Sequence, residues 1–387
     1  VPKIKTAFIP TEVAGVNFYR MWQPAEALKK YGYQTAVLWY SSKEMDRRNS
    51  WELGMMDQQY EMKIVKDIEM ACLWADVIVF MALHAEHSFE LFKALKKRHH
   101  NKKFVMELDD NVLSIPEYNA AYDHYNHGKT LSLVAVEQMK ISDALFVSTP
   151  ELAKNYAQFN RNVYVVENVI DTALWRTSHP PRRRALNIGW VGGGTHGEDL
   201  AISKDPILNV LRDYPKANFI CLHGAPKFFK HKDGCRFLDR SMEHPPCIEC
   251  GGHDRLIWTH EFKTIKKYPK WVNGYDLHVG IAPLVDNDFN RGKSNLRWLE
   301  YSAMGIPTVA SKVGHFAETI KDGETGLLAE TEEQFENALR RLLDDPDLRD
   351  SIGKNARREV MENWSPRNMA SKYIRALESV LAVTNPS

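Results

Sequence analysis

Residues 290–294 read Asn-Arg-Gly-Lys-Ser, two cations and a glycine directly ahead of an amphipathic stretch. Two positive side chains, a glycine and a fresh helix N-terminus suit an anion such as a diphosphate. Further along that stretch Glu300 lies three residues past Arg297, so the two can share one helix face. A second concentration of charge closes the apolar run 103–108, where Glu107, Asp109 and Asp110 stand almost side by side. Carboxylates at the end of a parallel strand sit where α/β sheets bind ligands. Capping of the next turn would account for one of Asp109, Asp110 and Asn111, hardly for all. A third candidate is Gly192-Gly193-Gly194-Thr195-His196-Gly197, whose glycines let the backbone approach a phosphate or sugar closely. Its spacing is not a clean dinucleotide fingerprint. Gly15, in a turn-rich stretch after the first strand, fits the same use or a plain turn. Finally, Cys235, Cys247, Cys250 and His253 could supply three thiolates and an imidazole to a structural zinc ion; reduced loop cysteines are the alternative.

The elements that would position these residues alternate in type. Short apolar runs at 4–9, 35–39, 76–81, 103–108, 144–147 and 163–166 read as strands, with helical stretches between most of them. Residues 171–185, with Pro180-Pro181 and Arg182-Arg183-Arg184, read as a linker. Strands resume at 186–191, 218–222, 256–258, 277–284 and 308–310. Strand, glycine-bearing loop, helix and strand in repetition is the βαβ unit of a parallel sheet. The expected architecture is therefore α/β: two Rossmann-like domains facing across a cleft. The first spans 1–170 and the second 186–366, with a cysteine-containing insertion at 225–254. Ser148-Thr149-Pro150 predicts a capped helix start, as does Ser365-Pro366.

Composition narrows the classes of function. The chain has 387 residues, 44% hydrophobic and 26% charged, with 51 basic against 50 acidic side chains. Such a balance announces no polyanionic partner through net field. Five cysteines, an odd number, argue against a secreted disulfide scaffold. The first residues, Val-Pro-Lys, lead straight into a strand, so a cytoplasmic protein without signal peptide or membrane span is expected. Basic tracts at 96–103, 182–184 and 227–232, the last with Phe228 and Phe229, keep open a nucleic-acid-binding protein on an inactive scaffold. The tract at 96–100 also reads as a plain solvated helix end. An oxidoreductase lacks its fingerprint in both halves.

Three segments carry a family resemblance. Glu324-Thr325-Gly326-Leu327-Leu328 resembles the G-x-T-G-x-L turn of group-one, family 4 retaining glycosyltransferases of the GT-B fold. Residues 299–309 resemble their L-E-A-M-A-x-G-x-P-V-V segment, and residues 166–171 their V-x-N-G-V-D hinge approach. The resemblance implies a metal-independent transfer of a hexose from a nucleotide-diphosphate sugar, a UDP-sugar, with retention and without a cofactor. The chain looks like a divergent, phage-type member. Its implied acceptor is a surface glycan or a hydroxymethylated DNA base. By the same resemblance Glu300 binds ribose hydroxyls, Lys293 the diphosphate, and Asp109 takes the place of the catalytic-region histidine. Gly15, Gly192, Gly193, Gly194, Thr195, His196, Arg291, Gly292, Ser294, Asn295 and Leu296 line the donor. Arg20, His84, Glu107 and Asp110 are the acceptor-side candidates. Terminal helices of the family cross back onto the first domain, so residues 367–387 are expected to complete it. Two departures stand out: Gly292 occupies the position of the motif's first glutamate, and Asp109 that of a histidine.

Overall fold

The computed structural model describes residues 3–11, 15–38, 58–83, 86–119, 121–125, 130–175, 186–193, 196–222, 255–259 and 266–382. The chain divides into two compact units. One comprises Val1–Val169, Arg291–Ser294 and Ser365–Ser387; the other Ile170–Asn290 and Asn295–Trp364.

The first unit is built on six parallel strands: β1 (Lys5–Ile9), β2 (Gln34–Val37), β3 (Val77–Met81), β4 (Lys103–Leu108), β5 (Ala144–Val147) and β6 (Val163–Val165). Their order is β2-β1-β3-β4-β5-β6, so the direction of winding reverses between β1 and β3. Val77–Met81 is buried at every position, the pattern of a strand covered on both faces. Alternate side chains divide between two cores, as the two-residue strand period requires. Ile78, Phe80 and Phe104 pack with the helices Gln58–Trp74 and Glu86–Arg98. Val77, Val79, Val105 and Phe146 pack with the helices Gln23–Lys30 and Pro366–Ala382. The C-terminal helix thus lies in the first unit's core. Tyr373 sets its ring 5.1 Å from that of Phe146 and 5.7 Å from that of Phe8.

The second unit repeats the plan with β7 (Leu186–Val191), β8 (Ala217–Leu222), β9 (Leu256–Thr259), β10 (Leu277–Ala282), β11 (Thr308–Ser311) and β12 (Leu327–Ala329). The order β12-β11-β10-β7-β8-β9, again wholly parallel, is that of the doubly wound dinucleotide-binding sheets, with its switch between β7 and β10. The strands are legible as apolar runs, and the α/β expectation of two Rossmann-like sheets holds.

Several boundaries differ from the sequence reading. β10 ends at Ala282 because Leu284 N–H donates to Ser311 Oγ rather than continuing the ladder. Asp288 opens a short helix, Asp288–Arg291, ahead of Gly292. Within the expected linker, Asp171 Oδ1 accepts from Ala173 N–H, and Trp175 is buried edge-on to Tyr268. The rest of the expected linker lies outside the described residues. No helix among the described residues is long and apolar enough to cross a membrane.

Candidate active site

In the first unit the carboxyl ends of β4 and β5 and the loop 291–294 bring a cluster of polar side chains together. Arg20 is the hub. It sits, 2% exposed, in a π-helical turn, Phe18–Trp22, a geometry that concentrates at functional sites. Its Nε donates to Glu107 Oε1 at 2.9 Å and Nη2 donates to the same oxygen. Its Nη1 donates to Val166 O at 2.6 Å and Asn168 Oδ1 at 3.0 Å. Because the Asn168 oxygen is taken, its amide nitrogen faces the other way. It donates to Asp109 Oδ1 at 3.1 Å and to Ser294 Oγ at 2.9 Å. Lys293 Nζ lies 2.8 Å from Asp110 Oδ1, and the Thr149 hydroxyl donates to the Gly292 carbonyl at 3.0 Å. Thr149 also caps the helix Pro150–Tyr156, as its sequence predicted.

Burial sets the electrostatics here. It lifts the Glu107 carboxyl to about 7 even with Arg20 in contact, and Tyr373 adds a long hydrogen bond to its other oxygen. Burial likewise raises the Asp109 carboxyl; Arg20 and Lys293 oppose the rise and the neighbouring Asp110 adds to it. Asp109 is thus a carboxylate that can exchange a proton nearer neutrality than an exposed one.

In the second unit the corresponding strand ends hold a different set. The helix Leu296–Ala303 buries Trp298, Leu299, Tyr301, Ser302 and Ala303 and leaves Arg297 and Glu300 half-buried. Two anchors fix it. Trp298 Nε1 donates to Thr325 O at 2.9 Å, within the G-x-T-G-x-L turn. Tyr301, whose ring lies where a Gly280 side chain would be, donates to Gly189 O at 3.1 Å and accepts from Val191 N–H at 3.0 Å. The Tyr268 phenol is driven well up by burial and then by the nearby Glu300.

Gly192 departs from the reading of a glycine opened for a ligand. A Cβ there would overlap the Arg297 guanidinium and the Trp190 ring, so the space belongs to the protein's own side chains. Around Gly15 and Gly193 a Cβ would meet nothing within 4 Å. His196 pairs through Nδ1 with Asp199 Oδ2 at 2.9 Å. The buried Asp199 also accepts from Val285 N–H at 3.0 Å and Asn290 Nδ2 at 2.6 Å, tying the loop after β7 to the loop after β10. Burial would raise its carboxyl, but these three donors hold it below the ordinary range. Asn295 is buried with its amide on Thr319 Oγ1.

The structure therefore gathers Arg20, Glu107, Asp109, Asp110, Gly292, Lys293 and Ser294 in the first unit, and Gly192, His196, Leu296 and Glu300 in the second. Arg291, exposed, belongs with the first. His84, Gly194, Thr195 and the zinc candidates Cys235, Cys247, Cys250 and His253 lie outside the described residues. Asn168, Tyr373, Asp199 and Trp190 were missed as site residues; only the His196–Asp199 spacing of three could have signalled one of them. The tract at 96–103 is largely engaged: Lys96 pairs with Asp143 at 2.5 Å, and Arg98 and His99 with Glu69 at 2.7 and 2.8 Å.

Comparison with known proteins agrees with this layout. Residues 237–375 match the family described as glycosyl transferase-like. Over 111 residues the chain is 31% identical to the D-inositol 3-phosphate glycosyltransferase of Arthrobacter sp. (strain FB24), a match covering 28% of this chain and only 25% of that relative. The fold is similar to HepE of Anabaena, solved in complex with UDP-glucose, with a TM-score of 0.68, 13% identity and coverage of 97% and 100% of the two chains. It is also similar to sucrose-phosphate synthase from Thermosynechococcus elongatus, with a TM-score of 0.67, 16% identity and coverage of 98% and 100%. Its two parallel six-stranded sheets give the chain the GT-B fold, and within it residues 237–375 are similar to the glycosyl transferase-like family.

Proposed function

We propose that this protein transfers a hexose from a nucleoside-diphosphate sugar to a hydroxyl acceptor. The observation that carries the reading is the cluster at the end of β4, where Asp110 holds Lys293 and the adjacent carboxylate, Asp109, is held by Asn168. Lys293 supplies positive charge to the departing diphosphate, and such stabilisation of developing charge is the largest contribution available to this reaction. Asp109, held by Asn168, accepts the hydrogen bond of the acceptor hydroxyl. In the second unit Glu300, on an anchored helix, suits the paired hydroxyls of a ribose. The complex of the similar HepE with UDP-glucose supports uridine as the base and glucose as a first sugar to test. Retention follows the family resemblance, and a glycan or a hydroxymethylated DNA base remains the acceptor of this reading. In the transfer the anomeric C–O bond to the diphosphate breaks, a bond to the acceptor oxygen forms, and the acceptor proton leaves with the diphosphate or on Asp109.

A panel of nucleotide-sugars assayed for nucleotide release, followed by mass spectrometry of glycan and hydroxymethylated duplex acceptors, tests the proposal. Release from a UDP-hexose that is lost in Lys293→Ala supports it. Failure to bind any nucleoside diphosphate sinks it.

A further inference from the structure

Arg297 is held in place by its neighbours yet keeps one buried donor unpaired. Its guanidinium carbon lies 5.1 Å from the centre of the Trp190 ring, a stacking that fixes the plane of the group. The side chain missing from Gly192 makes room for both terminal nitrogens. Yet Nη1 is buried with no hydrogen-bond partner, and Arg297 forms no ion pair among the described residues. The ionisable groups that feel its charge are Tyr268, Tyr301 and Cys221; burial pushes the thiol up to about 12 and raises both phenols, leaving all three neutral at physiological pH. A buried charged donor without an acceptor is costly, and native structures rarely retain one without a use.

The position indicates the use. Trp190 and Gly192 bracket the carboxyl end of β7, the strand at which the order of this sheet reverses, where doubly wound sheets take their ligands. Glu300 follows one turn later on the same half-buried helix face. We propose that Arg297 is an anion ligand of the second unit, its Nη1 donating to a phosphate oxygen of the donor's diphosphate. The assignment of that phosphate to a sugar nucleotide rests on the function proposed above; the anion site itself does not. The stacked guanidinium also explains why the loop needs glycine at 192: a larger residue would evict the arginine, whereas a phosphate would not require one there.

Calorimetric titration of the full chain with UDP, UMP and inorganic pyrophosphate tests this, alongside thermal unfolding of each variant. Arg297→Met should weaken UDP and pyrophosphate about 30-fold or more, as expected for loss of a charge-assisted pair. Arg297→Lys should recover little, because an ammonium does not stack on the indole in the same plane. Gly192→Ala, which leaves the charge in the chain, should weaken UDP by about ten-fold by displacing the guanidinium. Ligand-free Arg297→Met should unfold at a higher temperature than the parent, while UDP no longer raises its midpoint. Pyrophosphate binding lost in Arg297→Met, with no nucleoside diphosphate bound by the parent, supports the anion site and overturns the sugar-nucleotide reading. UDP bound within two-fold of the parent by a folded Arg297→Met protein overturns the role of Arg297 and leaves that reading standing. A parent that binds none of the three overturns both.

Discussion

Lys293 and Asp110 are 183 residues apart in sequence and 2.8 Å apart in space, and the contact belongs to the first unit although residues on either side of the loop belong to the second. Lys293 is therefore positioned by a carboxylate from β4's end rather than by its own helix. Lys293→Ala should reduce kcat for nucleotide release by about 10² to 10³, the usual effect of removing one group that stabilises developing charge. Asp110→Asn keeps the ammonium but loosens its position, so it should lower kcat less, by about ten-fold. Steady-state kinetics on the two variants separate charge from placement.

Asp109 should govern the acid limb of the pH–rate profile. Burial raises its carboxyl and the Asn168 amide donates to it, an interaction that favours the charged form. Removing that donor in Asn168→Ala should move the acid limb of kcat/KM to higher pH. Asp109→Asn should abolish the limb and most of the rate. The profile measured between pH 4 and 9 checks both; an unmoved limb in Asn168→Ala would show that another group titrates.

Glu300 depends on Tyr301 for its placement. Glu300→Gln should raise the Kd for UDP by about ten-fold or more while leaving inorganic pyrophosphate binding unchanged. Tyr301→Phe removes the buried hydroxyl shared by Gly189 O and Val191 N–H and should cost about 1–3 kcal/mol of stability. Calorimetry and denaturant unfolding report the two effects independently.

Asp199 makes the second unit sensitive to acid. Its folded carboxyl is held below the value of an unfolded aspartate, so its stabilisation is present above roughly pH 4 and is lost as pH falls through the folded value. Asp199→Asn should be less stable than the parent at pH 7 by about 1–3 kcal/mol, and the gap should close on acidification. Urea unfolding at pH 7, 4 and 3 measures that gap.

Much of the fold can be read from the chain because parallel strands buried on both faces are unbroken apolar runs, of which Val77–Met81 and Leu277–Ala282 are examples. Helix starts are equally local: Thr149 and Pro150 announce theirs within two residues. The site is less legible, since its decisive contacts join distant residues. Arg20 and Glu107 are both named as candidates, but nothing local in the chain shows that they meet, 87 residues apart, in the interior. The π-helical turn around it has no local signature. At Gly192 close approach is legible in the chain but the neighbour is not: the space a side chain would take is filled by Arg297 and Trp190, distant or unremarked in sequence.

The helix Pro366–Ala382 has a consequence for how the protein comes into being. Met369, Tyr373, Leu377 and Val380 supply one wall of a core whose other wall is Phe8, Met21, Val79 and Phe146. During synthesis the sheet of the first unit therefore waits, with that face bare, until the helix Pro366–Ala382 has left the ribosome. A chain interrupted after Trp364 would carry all six strands of this sheet and still expose their apolar surface, with Glu107 deprived of the Tyr373 hydroxyl. A stop after Trp364 should then yield aggregation-prone, protease-sensitive product rather than a stable, folded first unit.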